Sequence, residues 1–439
     1  MRLGKEKAHT QGGPDPAHDP DKQTAQMRDV IGACAIFLII AAWKSPVIFR
    51  HPRFWAEDAT SFYASFLHGS FLNNIFYIKS GSFQILSNVI VDLAVQVPIV
   101  LAPTITTYLA LSLHLVIVVQ IVLFACAYEL GKAIALLLIA SWALLPQTYE
   151  VWLNASNAQW VAGVSVLFLF AMPTEWVERH FKTAAAACLV YAVSGVPSVL
   201  LAPLFLLRAA VERSRPIATL GVLLGAGAGL QLAVLASVGE PRPFPADPLV
   251  LVLPLFLQSV LAPVLSGDVA NEIALWILKP NAVNSATAVA GTLAIGLAIM
   301  SVATVAASSS GQKTHALFLL LACILVTEVQ NFGAIEPEGH ISGWSGARYF
   351  LFGSMCMCLL LAWGTKARQV FLRVASTGLL CITVLTGAAE AILSFQTKSM
   401  THGPSWRRQI DACQPKEACK ITVWPGGPWI VEIRKSSGQ

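Results

Sequence analysis

The chain has 439 residues, 56% of them hydrophobic and 12% charged, with a mean hydropathy of +0.65. Soluble domains carry about a quarter charged residues, so this composition excludes an ordinary soluble globular protein, and weak period-two alternation argues against a membrane barrel. The net charge of +5 comes from basic residues scattered through short connections, not from a patch of the kind that binds nucleic acid.

Residues 1–28 are polar, contain Pro and Gly, and read as a disordered cytoplasmic N-terminus. Apolar runs follow near 29–48, 83–103, 104–127, 133–146, 157–172, 183–207, 217–238, 249–266, 284–309, 315–330, 349–364 and 370–393. No small-residue cleavage site follows the first, which reads as an uncleaved span. If each run crossed once, the basic connection Arg179-His180-Phe181-Lys182 would lie outside, against the positive-inside bias.

Three runs have chemistry that resolves this conflict. Gln84, Asn88, Asp92 and Gln96 recur at helical spacing, which predicts an amphipathic helix lying in the membrane interface. Ser194-Gly195-Val196-Pro197-Ser198 and Pro203 divide 183–207 into two short helices around a turn, and Pro254 and Pro263 predict a re-entrant or interfacial element at 249–266. The expected fold class is then an all-α polytopic bundle of about 11 transmembrane helices (range 10–12) over 29–393, since each crossing needs about 20 apolar residues. The N-terminus is inside, and a short C-terminal tail, 394–439, faces outward.

Seven of the nine Cys lie in apolar runs and read as buried small hydrophobes. Cys413 and Cys419 both sit in the polar tail, a disulfide candidate if the tail meets an oxidising compartment.

The outward loops 49–82, 146–157 and 331–348 carry the candidate chemistry. The first contains adjacent Glu57 and Asp58 among aromatics. A carboxylate there suits a general base or part of a metal site; alternatively the pair opens a helix over 59–67 and complements its dipole. The second holds Glu150, Asn154 and Asn157, with Gln159 and Trp160 entering the next span. Amides beside aromatic faces suit a sugar or polar head group, while interfacial anchoring by Trp152 and Trp160 with Asn154 as a helix cap is the structural alternative. The third holds Glu336, Glu338 and His340, then Arg348 and Tyr349, where a cation can clamp a lipid-linked phosphate or snorkel to the interface.

In order, these features are a first span, Phe54-Trp55-Ala56-Glu57-Asp58, Pro146 to Asn157-Ala158-Gln159-Trp160, Ser194-Gly195-Val196-Pro197, Arg348-Tyr349 and the tail Trp424-Pro425-Gly426-Gly427-Pro428-Trp429. This order resembles a group of bacterial polytopic proteins that look like membrane glycosyltransferases of the GT-C type, over most of the chain after about residue 29. The resemblance implies an inverting transferase of the bacterial inner membrane, with a polyprenyl-phosphate sugar donor and an essential acidic residue in the first outward loop. Carried onto this chain, that residue is Asp58 or Glu57. Two features depart from the pattern: Ala59 stands where relatives usually have Gly, and the tail replaces a large outward C-terminal domain.

The expected chemistry moves a sugar from that donor to a lipid or glycan acceptor on the outer face. Asp58 is the favoured base, and Glu57 orients the acceptor or helps hold a divalent cation, for which Glu57 and Asp58 are the candidate ligands. Glu150, Asn154, Asn157, Gln159, Trp160, His340, Arg348 and Tyr349 form the expected substrate-binding set, with Arg348 on the departing phosphate. A transporter or flippase of a lipid-linked substrate is the main alternative, because broken helices suit a midplane site. A non-catalytic assembly subunit is the third reading.

Overall fold

The computed structural model describes residues 20–238, 248–278, 282–332, 341, 346–393, 405–413 and 418–434. The chain is mostly helix, and two two-stranded antiparallel hairpins are all the sheet among the described residues. Six helical stretches are long and apolar enough to cross a membrane: Gln26–Lys44, Ala102–Ala127, Arg215–Val238, Ser285–Phe332, Ala347–Gly364 and Val370–Leu393. At 1.5 Å per residue, a helix of this size matches a hydrocarbon core of about 30 Å. The stretch Ser285–Phe332 has 48 residues and folds back at Gly311, whose φ of 95° takes it out of helical geometry. Large apolar side chains project outward from these helices, among them Leu232 and Leu385, each about two-thirds exposed. Such a surface would be insoluble in water and is at home in lipid. This is a membrane protein.

The first helix, Pro20–Lys44, begins inside the segment expected to be disordered; Pro20 supplies the φ that a first helical turn requires. The connection that follows is well structured. Its tight turn at Ser80-Gly81, with φ of 49° and 68°, joins Ile78–Lys79 to Ser82–Phe83.

In run 83–103 most of the polar stripe is turned away from water, with Gln84, Asn88 and Asp92 buried and Gln96 exposed. The run holds the helix Ile85–Val95 and the start of Ala102–Ala127, and Asn88 and Asp92 are fully buried. Asn88 Nδ2 donates to the carbonyls of Ile75 and Tyr77 at 2.8 and 2.9 Å, and Asn74 Nδ2 donates to Asp92 Oδ1 at 2.6 Å. The preceding loop covers Asn88 and Asp92 and pairs part of their polar groups, leaving Asn88 Oδ1 and Asp92 Oδ2 without a partner, while Gln96 stays exposed. Exposed apolar residues in this region include Phe71, Leu72 and Phe76, on and beside the short helix Phe71–Ile75, with Leu93 and Leu101 in the run itself.

Run 183–207 breaks at the expected turn, into Phe181–Ala192 and a second part that is itself divided into Val196–Val199 and Ala202–Glu212. Gly195 is the hinge, with φ of 139°, and a Cβ there would stand 2.4 Å from Gln159 Oε1. Only glycine accepts both that conformation and that approach. Helical structure over Pro248–Leu265 is interrupted by a wide turn at Leu255–Leu261 and packs against the loops of one end of the bundle. Gln147 Nε2 donates to the Gln258 carbonyl there, and Gln258 Nε2 donates to Ile341 O at 3.3 Å.

Contacts sort the connections into two ends. At one end Lys132 pairs with Asp29 at 2.6 Å, Lys366 donates to Tyr128 O at 3.0 Å, and Ser214 donates to Glu178 at 3.0 Å. At the other end lie loop 49–82, loop 146–157, residues 346–350 and the tail. The tail forms the helix Trp406–Ala412 and the hairpin Ala418–Thr422 with Ile430–Arg434, and Cys413 is joined to Cys419 by a disulfide. It packs onto the first loop as a small apolar core. Trp406 sits edge-on to Phe54, 4.9 Å between ring centres, and donates to Ile99 O at 2.9 Å. The Trp424 ring packs tilted against Trp55, 4.3 Å between ring centres, and the Trp424 carbonyl accepts from Ala56 N at 2.6 Å.

Candidate functional site

Loop 146–157 closes on itself before it meets anything else. Asn154 and Asn157 both donate their side-chain amides to the Glu150 carbonyl, at 2.6 and 2.8 Å, and Asn154 Oδ1 accepts from Asn157 N at 3.1 Å. Asn154 is therefore a loop brace and not the expected helix cap, and at 3% exposure its sequon is closed to modification. From below, buried Lys44 donates to Ala143 O and Thr148 Oγ1 at 2.8 and 2.9 Å, with its ammonium 4.1 Å from the Trp152 ring. Trp152 Nε1 donates to Ser45 Oγ at 2.7 Å, which makes it a buried anchor and not an interfacial one.

The two adjacent carboxylates of the first loop point to different environments. Asp58 is 1% exposed, and its oxygens accept from the backbone N–H groups of Ser156 at 2.6 Å and of Ala155 and Trp55 at 3.3 Å. It ties the first loop to the second and does not line the neighbouring cavity. Burial pushes its pKa up to about 6 against the opposing pull of those N–H groups. Glu57, one residue earlier, is partly exposed and does line the cavity.

That cavity has a volume of about 370 Å³. Glu57 and Lys79 from the first loop meet Ser156, Asn157, Gln159 and Trp160 from the second, Gln330, Arg348 and Tyr349 from the next outward connection, and Trp429 from the tail. Trp160 and Tyr349 meet edge to face at 4.8 Å. Five of the residues picked out from the sequence thus line it alongside Glu57: Asn157, Gln159, Trp160, Arg348 and Tyr349. Asp58, Glu150 and Asn154 support its walls from behind, and His340 lies outside the described residues. Lys79 and Gln330 were missed. Lys79 looks like an ordinary loop cation and Gln330 like a span-end amide, and neither carries a local signal.

Glu150 has a specific supporting role. Its carboxylate accepts from the backbone N–H of Gly346 at 3.0 Å and of Arg348 at 3.1 Å, and pairs with the Arg348 guanidinium at 3.5 Å. With 7% of its side chain exposed, it is a clamp on the segment that presents Arg348. Both Glu150 and Glu57 lie within electrostatic reach of that guanidinium. The arrangement leaves a clamped cation and a partly exposed carboxylate facing one cavity.

The expected cation ligands do not make a metal site together. The Asp58 oxygens are already committed to three backbone N–H groups, and among the described residues no three His, Cys, Asp or Glu side chains gather as a metal would require.

The Asp58 environment has a measurable consequence. Its folded pKa of about 6 lies above the model-compound value of 3.8, so the stabilisation is complete below that lower value and is lost as pH rises through about 6. In detergent, the protein should be more stable at about pH 5 than at about pH 7.5, by roughly 1 kcal/mol. Asp58→Asn should flatten that dependence in thermal melts; an unchanged profile would assign it to another group.

No family model, curated protein or solved structure matches this chain.

Proposed function

We propose that the protein is a membrane glycosyltransferase that moves a sugar from a polyprenyl-phosphate donor to a lipid or glycan acceptor on the outer face of the membrane. The observation that carries this reading is the single cavity that brings Glu57, Arg348 and Lys79 together with the amides and aromatic rings of Asn157, Gln159, Trp160 and Tyr349. A carboxylate, two cations and a hydrogen-bonding aromatic wall are what displacement of phosphate from a sugar needs.

In this reading the acceptor hydroxyl oxygen bonds to the anomeric carbon as the bond from that carbon to the phosphate oxygen breaks. The prenyl phosphate leaves with the electron pair, and the hydroxyl proton passes to Glu57. This moves the base one residue from Asp58, because a base must reach the proton it takes. Arg348, held by Glu150, takes up the charge that develops on the phosphate. Asp58 keeps the two loops in register.

The topology that accompanies this reading has eleven crossings. Besides the long helices, Lys132–Leu144, Ala158–Ala171, Phe181–Ala192 and the broken segment 196–212 also run between the two ends of the bundle. Contacts place Lys132, Lys313 and Lys366 at the end away from the cavity, and Arg179, Lys182, Arg213, Arg215 and Arg368 fall in connections that this topology assigns to the same end, which supports a cytoplasmic assignment for it. The cavity and the tail then face outward, where a disulfide persists. We place the protein in the bacterial inner membrane, on the resemblance of its loops to those of GT-C transferases.

The test is turnover by purified protein in nanodiscs with a panel of polyprenyl-phosphate sugars and membrane-lipid or glycan acceptors. Release of prenyl phosphate with one donor, matched by a glycosylated acceptor, is the expected result. Intact donors across the panel would count against the reading.

A further inference from the structure

Three side chains in the cavity wall hold polar atoms that no group among the described residues satisfies. Gln330 is 4% exposed, and neither its amide oxygen nor its amide nitrogen has a partner. Gln84, also 4% exposed, donates to Ser82 Oγ at 2.7 Å but leaves its oxygen unpaired, and Trp160, 7% exposed, leaves its indole N–H unpaired. They come from three separate parts of the chain and converge on one cavity. Each such buried atom costs on the order of 1–3 kcal/mol while it lacks a partner, so a group of them in one wall marks a place that a ligand completes.

The chemistry of the unpaired atoms narrows that ligand. They comprise two donors, Gln330 Nε2 and Trp160 Nε1, and two acceptors, Gln330 Oε1 and Gln84 Oε1, all uncharged. Phosphate and carboxylate offer acceptors alone and an ammonium offers donors alone, whereas each hydroxyl offers both. We propose that Gln330, Gln84 and Trp160 form a neutral subsite that reads the hydroxyl groups of the sugar ring, with Gln330 as its main specificity-determining residue. This division of labour leaves Arg348 and Lys79 for the phosphate. The ligand's identity as a sugar phosphate rests on the transferase reading; the existence of a hydroxyl-reading subsite rests on the unpaired atoms.

The experiment measures binding of the full-length protein in detergent to a short-chain prenyl phosphate and to its hexosyl and pentosyl esters. Wild type should bind one ester more tightly than the bare prenyl phosphate. Gln330→Met should weaken that ester roughly ten-fold and change the bare phosphate by less than about two-fold, with Gln84→Leu acting in the same direction. Melting temperatures exclude unfolding as the cause, and the two variants, from different segments, check each other. A wild type that prefers no ester, or folded variants that retain the preference, would overturn the subsite. Discrimination without turnover would leave the subsite standing and remove the transferase reading. Turnover with discrimination unchanged in both variants would do the reverse.

Discussion

Glu57→Gln is expected to slow sugar transfer by about 10²–10⁴-fold, the usual contribution of a positioned general base, while donor affinity changes little. The reasoning is geometric. Glu57 is the carboxylate of the first loop that lines the cavity, and its neighbour Asp58 is turned into the protein and bonded to three backbone N–H groups. Gln keeps the shape and one acceptor but cannot take a proton, so kcat should fall with KM nearly constant. Asp58→Asn should instead act through stability and through the register of loops 49–82 and 146–157. Initial rates on donor and acceptor at matched folded fraction separate the two. If Glu57→Gln turns over normally and Asp58→Asn does not, the base belongs to Asp58, and the cavity must rearrange to admit it.

Arg348→Ala should lower kcat/KM by about 10²–10³-fold, as loss of one group aimed at developing charge does elsewhere. Arg348→Lys should recover only part of that, because an ammonium supplies the charge without the planar fork of N–H donors. Glu150 gives a sharper test of the same idea. It touches no part of the cavity, yet it holds the backbone N–H groups of Gly346 and Arg348 as well as the guanidinium. Glu150→Gln keeps one acceptor oxygen and should lose activity by a smaller factor than Arg348→Ala, with the defect concentrated in kcat. In an Arg348→Ala background, Glu150→Gln should add little, since the two act as one unit. A double variant whose losses simply multiply would separate Glu150 from Arg348 and leave it a purely structural brace.

Much of the fold was legible along the chain. Hydrophobic runs marked the long spans, because transfer into hydrocarbon is nearly a local sum over side chains. Pro and Gly marked where runs break, and the break at Gly195 falls where Ser194-Gly195-Val196-Pro197 predicts it. Of the polar stripe Gln84, Asn88, Asp92 and Gln96, the first three are buried under the preceding loop and Gln96 is exposed. Periodicity reports that a face is polar, and whether water or a folded loop covers it is decided by distant contacts.

By itself, then, the sequence determined that this is a helical membrane protein, where its helices break, and which loops carry carboxylates, amides and cations. Which of those groups face one cavity was decided only by tertiary structure. Asp58 meets Ser156 across 98 residues, Glu150 meets Arg348 across 198, and Trp406 meets Ile99 across 307. Those contacts turn Asp58 inward and leave Glu57 on the cavity wall. They also make Glu150 a clamp, and the same fold sets Gln330 and Lys79 in the cavity wall. The physical reason is that burial in a membrane follows local hydropathy, whereas the direction a polar side chain faces follows whichever distant backbone group satisfies it.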